Sequence, residues 1–437
     1  MSGEAASLEA PDGPLERRRL PFSVVAKPTG AACNLDCQYC FFLSKELLYD
    51  GERQRMSIET LERYVAEHLA ASGDGEVTML WQGGEPTLRG LDFFRHLIEA
   101  CEKYRRPTQR VVHALQTNGT LITDEWADFL KAHDVLVGVS IDGPEHCHDA
   151  YRWNRAGRGT HAMVLKGWHR LRAAGVRCNV LCTVHAGNER YGREVYTYFR
   201  DTLGADYMQF IPIVERVDPS QAAVAESGWR VEGDKTKSVL YRQTGSDVTT
   251  RSCDPQAYGE FLCEIFDEWV KADVGRIFVQ DFDQALGALF GQHAVCVHAP
   301  ECGNNFAMEF NGDVYACDHW VEPEWFVGNI AQHDFFDLAT SETMRAFALK
   351  KRVQLTAQCR RCPYLRVCNG GCPKDRFVAS VDGEDGHNYL CRGYTRFYRH
   401  ARPAIAAMAR LLQMGRAPAE ICDPVIRARL IGNEGET

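Results

Sequence analysis

Thr29-Gly30-Ala31-Ala32-Cys33-Asn34-Leu35-Asp36-Cys37-Gln38-Tyr39-Cys40 sets three cysteines as Cys33-x3-Cys37-x2-Cys40, directly after the apolar run Phe22–Lys27. From composition alone such a triplet would arise about 0.03 times in a chain of this length and cysteine content. Three thiolates on one short loop can hold three irons of a [4Fe–4S] cube, which ordinarily takes four cysteine ligands. The fourth iron is then open to a substrate. A zinc knuckle is the competing reading, but a structural zinc site closes with four ligands.

The wider composition agrees with metal or redox chemistry. Eighteen of 437 residues are cysteine. The N-terminus is acidic and Ala-rich and lacks the apolar core of an export signal. The expected compartment is therefore the reducing cytoplasm, where disulfides are rare and clustered cysteines bind metals. No apolar run reaches membrane-spanning length, so no membrane association is expected. The net charge is −9 and no basic stripe is interleaved with aromatics, which speaks against nucleic acid. The cluster Arg17-Arg18-Arg19 reads as part of a flexible tail over residues 1–20.

From residue 21 strands and helices alternate. Apolar, β-branched runs lie at Phe22–Lys27, Glu76–Trp81, Arg110–Gln116, Leu136–Ile141, Arg177–Val184 and Tyr207–Pro212. Their near-continuous hydrophobicity suits parallel strands covered on both faces. Helices are predicted over Ile58–Ala71 behind an Ser57 cap, Leu91–Tyr104, Asp124–Ala132 behind Thr123, His161–Ala174 and Glu189–Leu203. The pattern predicts an α/β fold, a partial (β/α)6 TIM-like barrel over 21–215, with ligands at the carboxyl ends of the strands. Residues 216–257 are polar and aperiodic and read as an insertion, joined by a helix, Tyr258–Ala272, to the rest; together 216–290 bridge two regions. Residues 291–400 are cysteine-dense and turn-rich, with a hairpin signal at Asn311-Gly312. A helix, Ala401–Met414, opens the C-terminal segment 401–437.

Eight cysteines stand out in that second region: Cys296, Cys302, Cys317, Cys359, Cys362, Cys368, Cys372 and Cys391. Eight suffice for two fully ligated [4Fe–4S] clusters. A pair of four-thiolate zinc sites is the alternative. Cys101, Cys147, Cys178, Cys182, Cys253, Cys263 and Cys422 fall outside the spacing and read as core thiols.

With the cysteine loop, Tyr39 before its third cysteine, and Gly83-Gly84-Glu85-Pro86 after the second strand, the sequence resembles the radical S-adenosylmethionine (SAM) superfamily. The resemblance implies cofactor contacts at Tyr39, Gln82, Gly83, Gly84, Glu85, Ser140, Asp142, Arg152 and Ile213. Physically, two glycines let the backbone approach a ligand, Glu85 could offset the methionine ammonium, and the Arg152 fork suits a carboxylate. Cys359-x2-Cys362-x5-Cys368-x3-Cys372 with Cys391 resembles the twin-cluster SPASM module. With Cys296-x5-Cys302-x14-Cys317, it is similar to the anaerobic sulfatase-maturating enzymes. That family implies two interleaved sites, one of Cys296, Cys302, Cys317 and Cys372, the other of Cys359, Cys362, Cys368 and Cys391. It implies three [4Fe–4S] clusters in all, and a catalytic base at Asp318. The implied activity is radical oxidation of a cysteine or serine to formylglycine in a sulfatase polypeptide carrying a Cys/Ser-x-Pro-x-Arg motif, served by a low-potential electron donor. Two rivals stay open: a SPASM enzyme that modifies another ribosomal peptide, and a non-catalytic iron–sulfur or zinc regulator.

Overall fold

The computed structural model describes residues 22–49, 54–231, 234–303 and 305–432. The expected tail at 1–20 lies outside them. Six strands form where the apolar runs predict: β1 (Ser23–Ala26), β2 (Gly75–Trp81), β3 (Gln109–Thr117), β4 (Leu136–Ser140), β5 (Cys178–Val184) and β6 (Tyr207–Pro212). All adjacent pairs among them are parallel, in the order β6-β5-β4-β3-β2-β1.

The connecting helices follow their caps. In α1 (Ile58–Ala71) the Ser57 hydroxyl accepts from the Thr60 N–H at 3.0 Å. In α3 (Asp124–Ala132) the Thr123 hydroxyl accepts from the Trp126 N–H. Each such cap satisfies a donor that the first helical turn leaves unpaired. Helix α2 (Leu91–Tyr104) buries Phe93, Phe94, Leu97 and Cys101, and both phenylalanine rings meet Trp81 of β2 edge-on. Helix α4 spans His161–Ala173. The helix expected over Glu189–Leu203 begins later, as α5 (Gly192–Thr197), and its last turn loosens to π geometry over Tyr198–Thr202.

The sheet does not stop at six strands. β7 (Phe278–Val279) adds in parallel beside β6, and β8 (Asn305–Met308) adds in parallel beside β1, with Ser23 opposite Asn305 and Ala26 opposite Met308. The hairpin expected at Asn311-Gly312 forms: β8 turns into antiparallel β9 (Asp313–Tyr315), which pairs with β10 (Phe326–Asn329). The cysteine-rich region is thus welded to the barrel by main-chain hydrogen bonds. Among the described residues, β7 and β10 do not pair, so the barrel stays open.

The segment expected to be a featureless insertion has a small core of its own, Val217, Ala225, Trp229 and Tyr241. It is anchored by a buried ion pair, Arg251–Glu215 at 2.8 Å. The Tyr241 N–H donates to the Ser44 hydroxyl at 3.0 Å, and Lys45 donates to the Tyr241 carbonyl at 2.9 Å. These bonds fold it back over the strand ends. The next helix, α6 (Pro255–Ala272), starts three residues earlier than its apolar stripe suggests, because Asp254 caps it and Pro255 occupies the first turn. Helix α7 is Glu342–Val353, and α8 runs from Cys391 to Gln413, ten residues longer at its start than expected.

Candidate active site

The cysteine loop follows β1 and is strapped from several sides. The Asp36 and Gln38 N–H groups donate to the Trp153 and Tyr151 carbonyls, and Arg155 donates to the Cys33 carbonyl at 2.7 Å. Burial pushes the Cys33 thiol up to about 12, with the nearby Glu85 and Cys40 adding to it. Cys37 and Cys40 are raised too, again chiefly by burial. Thiolates gathered this closely away from water need positive charge beside them, which ligated iron supplies.

The Gly-Gly-Glu-Pro turn after β2 is wedged against this loop. Gly84 has φ +46°, and a Cβ there would lie 2.1 Å from the Ala32 carbonyl oxygen. The same carbonyl accepts from the Glu85 N–H at 2.9 Å. Gly84→Ala is therefore expected to displace the cysteine loop; reconstituted protein should hold measurably less iron per chain than wild type in an anaerobic iron assay. Glu85 is held within the protein. Its carboxylate is fully buried and already accepts from the Thr87 N–H, the Thr87 and Thr117 hydroxyls and the Asn118 N–H, at 2.6–3.0 Å. It ties the ends of β2 and β3 together.

At the carboxyl ends of the strands lies a cavity of about 230 Å³. Of the residues expected there, Tyr39, Gln82, Ser140, Arg152, Ile213 and Asp318 line it, as does Cys40. Gln116 donates to the Ser140 hydroxyl at 3.0 Å, fixing both polar groups on one wall. Asp142 is not among the residues that line this cavity. It lies behind Arg152, accepting from Arg152 Nε at 2.7 Å and Nη2 at 3.1 Å, from the Tyr39 hydroxyl at 2.5 Å and from the Thr183 N–H at 2.9 Å. Burial opposes its charge, but the Arg152 and His185 partners outweigh burial and hold its carboxyl well below the usual range. Its carboxylate fixes the Arg152 guanidinium through Nε and Nη2.

Asp318 follows Cys317 and faces the cavity, ion-paired to fully buried Lys27. Burial would raise its carboxyl, but Lys27 and then His319 bring it below the ordinary value. Lys27 also sits 3.8 Å from the centroid of the Phe42 ring. Behind the pair lies Glu309, with one carboxyl oxygen lacking any partner among the described residues. Burial pushes Glu309 up to about 7, against the pull of Lys27. A carboxyl raised in the folded state binds its proton more tightly there than in the unfolded chain. Its contribution is therefore full below the unfolded value and lost as pH rises to about 7. Glu309→Gln is expected to remove that slope. Between pH 5.5 and 7.5 the wild type should lose about 2 kcal/mol relative to the variant in anaerobic urea unfolding.

The remaining eight cysteines separate into two groups. Cys296, Cys302, Cys317 and Cys372 line one cavity of about 230 Å³. Cys359, Cys362, Cys368 and Cys391 line another of about 410 Å³. The first of these shares Ile211, Pro212, His319 and Lys374 with the Asp318 cavity, so the two are separated by a single wall. Buried Lys351 donates to the Cys296 and Val297 carbonyls at 2.6 and 2.8 Å, and Arg376 donates to the Lys351 carbonyl at 2.6 Å. Among the described residues no three His, Cys, Asp or Glu side chains close on one metal ion, as a tetrahedral zinc requires. Cysteines spread around a cavity beside buried cations instead fit a cube of several irons with net negative charge.

The family model of the radical SAM superfamily matches residues 28–194, and that of an iron–sulfur cluster-binding domain, SPASM, matches residues 296–363. A serine-type anaerobic sulfatase-maturating enzyme of Bacteroides thetaiotaomicron is 40% identical over 403 residues, 92% of this chain and 94% of the relative. The chain belongs to the anaerobic sulfatase-maturating enzyme family. A cysteine-type anaerobic sulfatase-maturating enzyme of Clostridium perfringens is 31% identical over 89% of this chain and 98% of its own. The solved structure of native anSMEcpe with bound AdoMet and Cp18Cys peptide superposes with TM-score 0.75 at 29% identity, covering 90% of this chain and 100% of that one.

As a member of the sulfatase-maturating family, the chain uses SAM and [4Fe–4S] clusters. No helix among the described residues is long and apolar enough to cross a membrane. All eighteen thiols are free, and the six extra cysteines from Cys101 to Cys263 are buried in the core, while Cys422 is half-buried. Several site residues escaped the sequence reading. Tyr241 and Gln243 of the insertion line the Asp318 cavity, and so does His319, whose ring stacks on Phe41 at 5.5 Å. Lys27 and Lys351 gave one available signal: a lysine within an otherwise apolar stripe.

Proposed function

We propose that this chain oxidises a cysteine or serine of a sulfatase polypeptide to formylglycine, with Cys33, Cys37 and Cys40 holding the SAM-cleaving cluster. The eight later cysteines would hold two closed clusters in the two groups described above. The reading is carried by one juxtaposition: Asp318 lines the cofactor cavity, while the preceding residue, Cys317, lines the neighbouring cysteine cavity. A proton acceptor and an exit for an electron thus share one wall.

When bound, SAM and its cluster supply a hydrogen-abstracting carbon radical. Everything else falls to the chain. Arg152 Nη1 takes the methionine carboxylate, with Asp142 and Tyr39 holding the guanidinium in place. Gln116 and Ser140 present a fixed polar pair to the sugar and amino acid. Gln82 and the Gly83-Gly84 backbone close the side nearest the cysteine loop. The insertion, through Tyr241 and Gln243, covers the cavity and excludes water. The target's β-carbon loses a hydrogen atom, and Asp318 accepts the proton of its thiol or hydroxyl. A cluster held by Cys296, Cys302, Cys317 and Cys372 would take up the remaining electron. A serine target gives the aldehyde directly; a cysteine target gives a thioaldehyde that water hydrolyses.

Substrate recognition is assigned to a Cys/Ser-x-Pro-x-Arg motif, reduction to a low-potential donor, and location to the cytoplasm. The test is anaerobic incubation of reconstituted protein with dithionite, SAM and peptides carrying Cys-x-Pro-x-Arg or Ser-x-Pro-x-Arg, read by mass spectrometry. Equimolar 5′-deoxyadenosine and peptide aldehyde are expected. A cross-linked peptide without aldehyde would move the chain to another class of peptide modification. Absence of 5′-deoxyadenosine would end the radical reading altogether.

A further inference from the structure

The chain carries a formal charge of −9, yet residues 355–402 hold nine Lys or Arg against four Asp or Glu. The excess is concentrated in one place. The cavity of Cys359, Cys362, Cys368 and Cys391 adjoins a second, of about 290 Å³, and the two share Pro363, Tyr364 and Tyr398. Arg361 and Arg399 line the first, Arg366 and Arg402 the second, and no acid lines either. All four arginines are exposed. Arg361 is paired with Asp382 and Arg366 donates to the Leu289 carbonyl, but Arg399 and Arg402 have no ion pair or hydrogen bond with any described residue. On α8, Arg392, Arg399 and Arg402 recur at spacings that place them on one helix face. Between the arginines the floor is apolar, with Leu289, Val367 and Ile405, and Tyr364 stacks on Tyr398 at 6.0 Å.

We infer that this basic face, laid over the second cysteine group, is the docking surface for an acidic protein that carries one electron. The inference rests on the proposed oxidation, which must dispose of an electron at every turnover. A small apolar floor ringed by four cations, Arg399 and Arg402 of them unpaired among the described residues, suits a transient encounter: charge steers the partner in, and a modest contact lets it leave. The cysteine group lies directly beneath, so the distance to the partner's carrier group is short. The step would be a one-electron transfer: a cluster held by these four cysteines would pass on the electron received from the Cys296 group, and the carrier would be reduced. No bond changes and no proton moves, since Asp318 has already taken the substrate's proton. A nucleic acid fits less well, because the acidic loop at Asp382, Glu384 and Asp385 borders the face and would repel a continuous phosphate chain.

The test uses anaerobic holoenzyme and an acidic flavodoxin as probe. Binding is measured at 50 and 300 mM NaCl for wild type, for the double variant R366E/R402E, whose two positions lie outside the cysteine cavity, and for R63E on exposed α1 as a control. The double variant is expected to bind at least about tenfold more weakly, with the rate of flavodoxin reduction falling in proportion. Wild-type binding should weaken steeply with salt and R63E should match it. Dithionite-driven formation of 5′-deoxyadenosine and aldehyde should be unchanged in all three. Equal binding by wild type and the double variant, an equal loss in R63E, or tighter binding of a mixed-sequence RNA would each overturn the inference. Failure of wild type to make aldehyde with dithionite would instead count against the proposed function, and the flavodoxin affinities would still be read independently.

Discussion

Asp318→Asn is expected to leave cleavage of SAM intact and to lower aldehyde formation by at least about a hundredfold. The variant keeps the shape of the side chain and loses only its capacity to accept a proton. Among the described residues the Asp318 carboxylate pairs with Lys27 and with none of the residues proposed to bind the cofactor. Cofactor cleavage should therefore become uncoupled, with 5′-deoxyadenosine accumulating without a matching aldehyde. Lys27→Met provides the complementary measurement. Removing the cation lets burial act unopposed on Asp318, so its carboxyl rises and the acid limb of the pH–rate profile should move to higher pH. Equal aldehyde yield in Asp318→Asn and wild type would remove Asp318 from the reaction.

Asp142→Asn should be the most damaging single change to the cofactor wall. It removes the negative charge that Arg152, Tyr39 and the Thr183 amide all share, leaving a guanidinium buried without a counter-ion. Breaking such a pair from one side costs about 3–5 kcal/mol. A lowered unfolding midpoint and loss of SAM binding in equilibrium dialysis are both expected. The double variant Asp142→Leu with Arg152→Met separates the two effects. It removes both charges at once, so stability should largely return while SAM binding stays lost. Full SAM binding in the double variant would show that the Arg152 fork has no part in holding the carboxylate.

Local structure was largely legible in the sequence because local chemistry decides it. Ser57 and Thr123 fixed two helix starts to the residue, since a side-chain oxygen meeting an orphan N–H is a short-range event. Where local signals compete, reading fails: Pro403 inside α8 hid the continuity of that helix back to Cys391. Long-range pairing left no trace. Nothing in Asn305–Met308 announces that it will lie beside Ser23–Ala26, 282 residues earlier, because any apolar strand can offer the same backbone bonds. At the site, the sequence located the right strand ends but not which carboxylates face inward. Ser140 meets the cavity while Asp142 lies behind Arg152, because four donors converge on its carboxylate there. The Glu85 carboxylate is held by its own donors in the same way. The pairing of Lys27 with Asp318 needed the fold, since it joins the first strand to the cysteine-rich region.

The parallel contact of β8 with β1 reaches further than its four residues suggest. A bead-on-string arrangement would let one half drift relative to the other and be swapped between proteins by recombination at a linker. Here a backbone seam lies between the halves, so cutting the chain near residue 300 would bare the edge of β1 and leave each fragment with an unsatisfied, aggregation-prone border. The same seam fixes the strand that leads into the Cys33 loop beside the one that leads toward Cys317, so the proposed electron transfer would need no docking motion between modules.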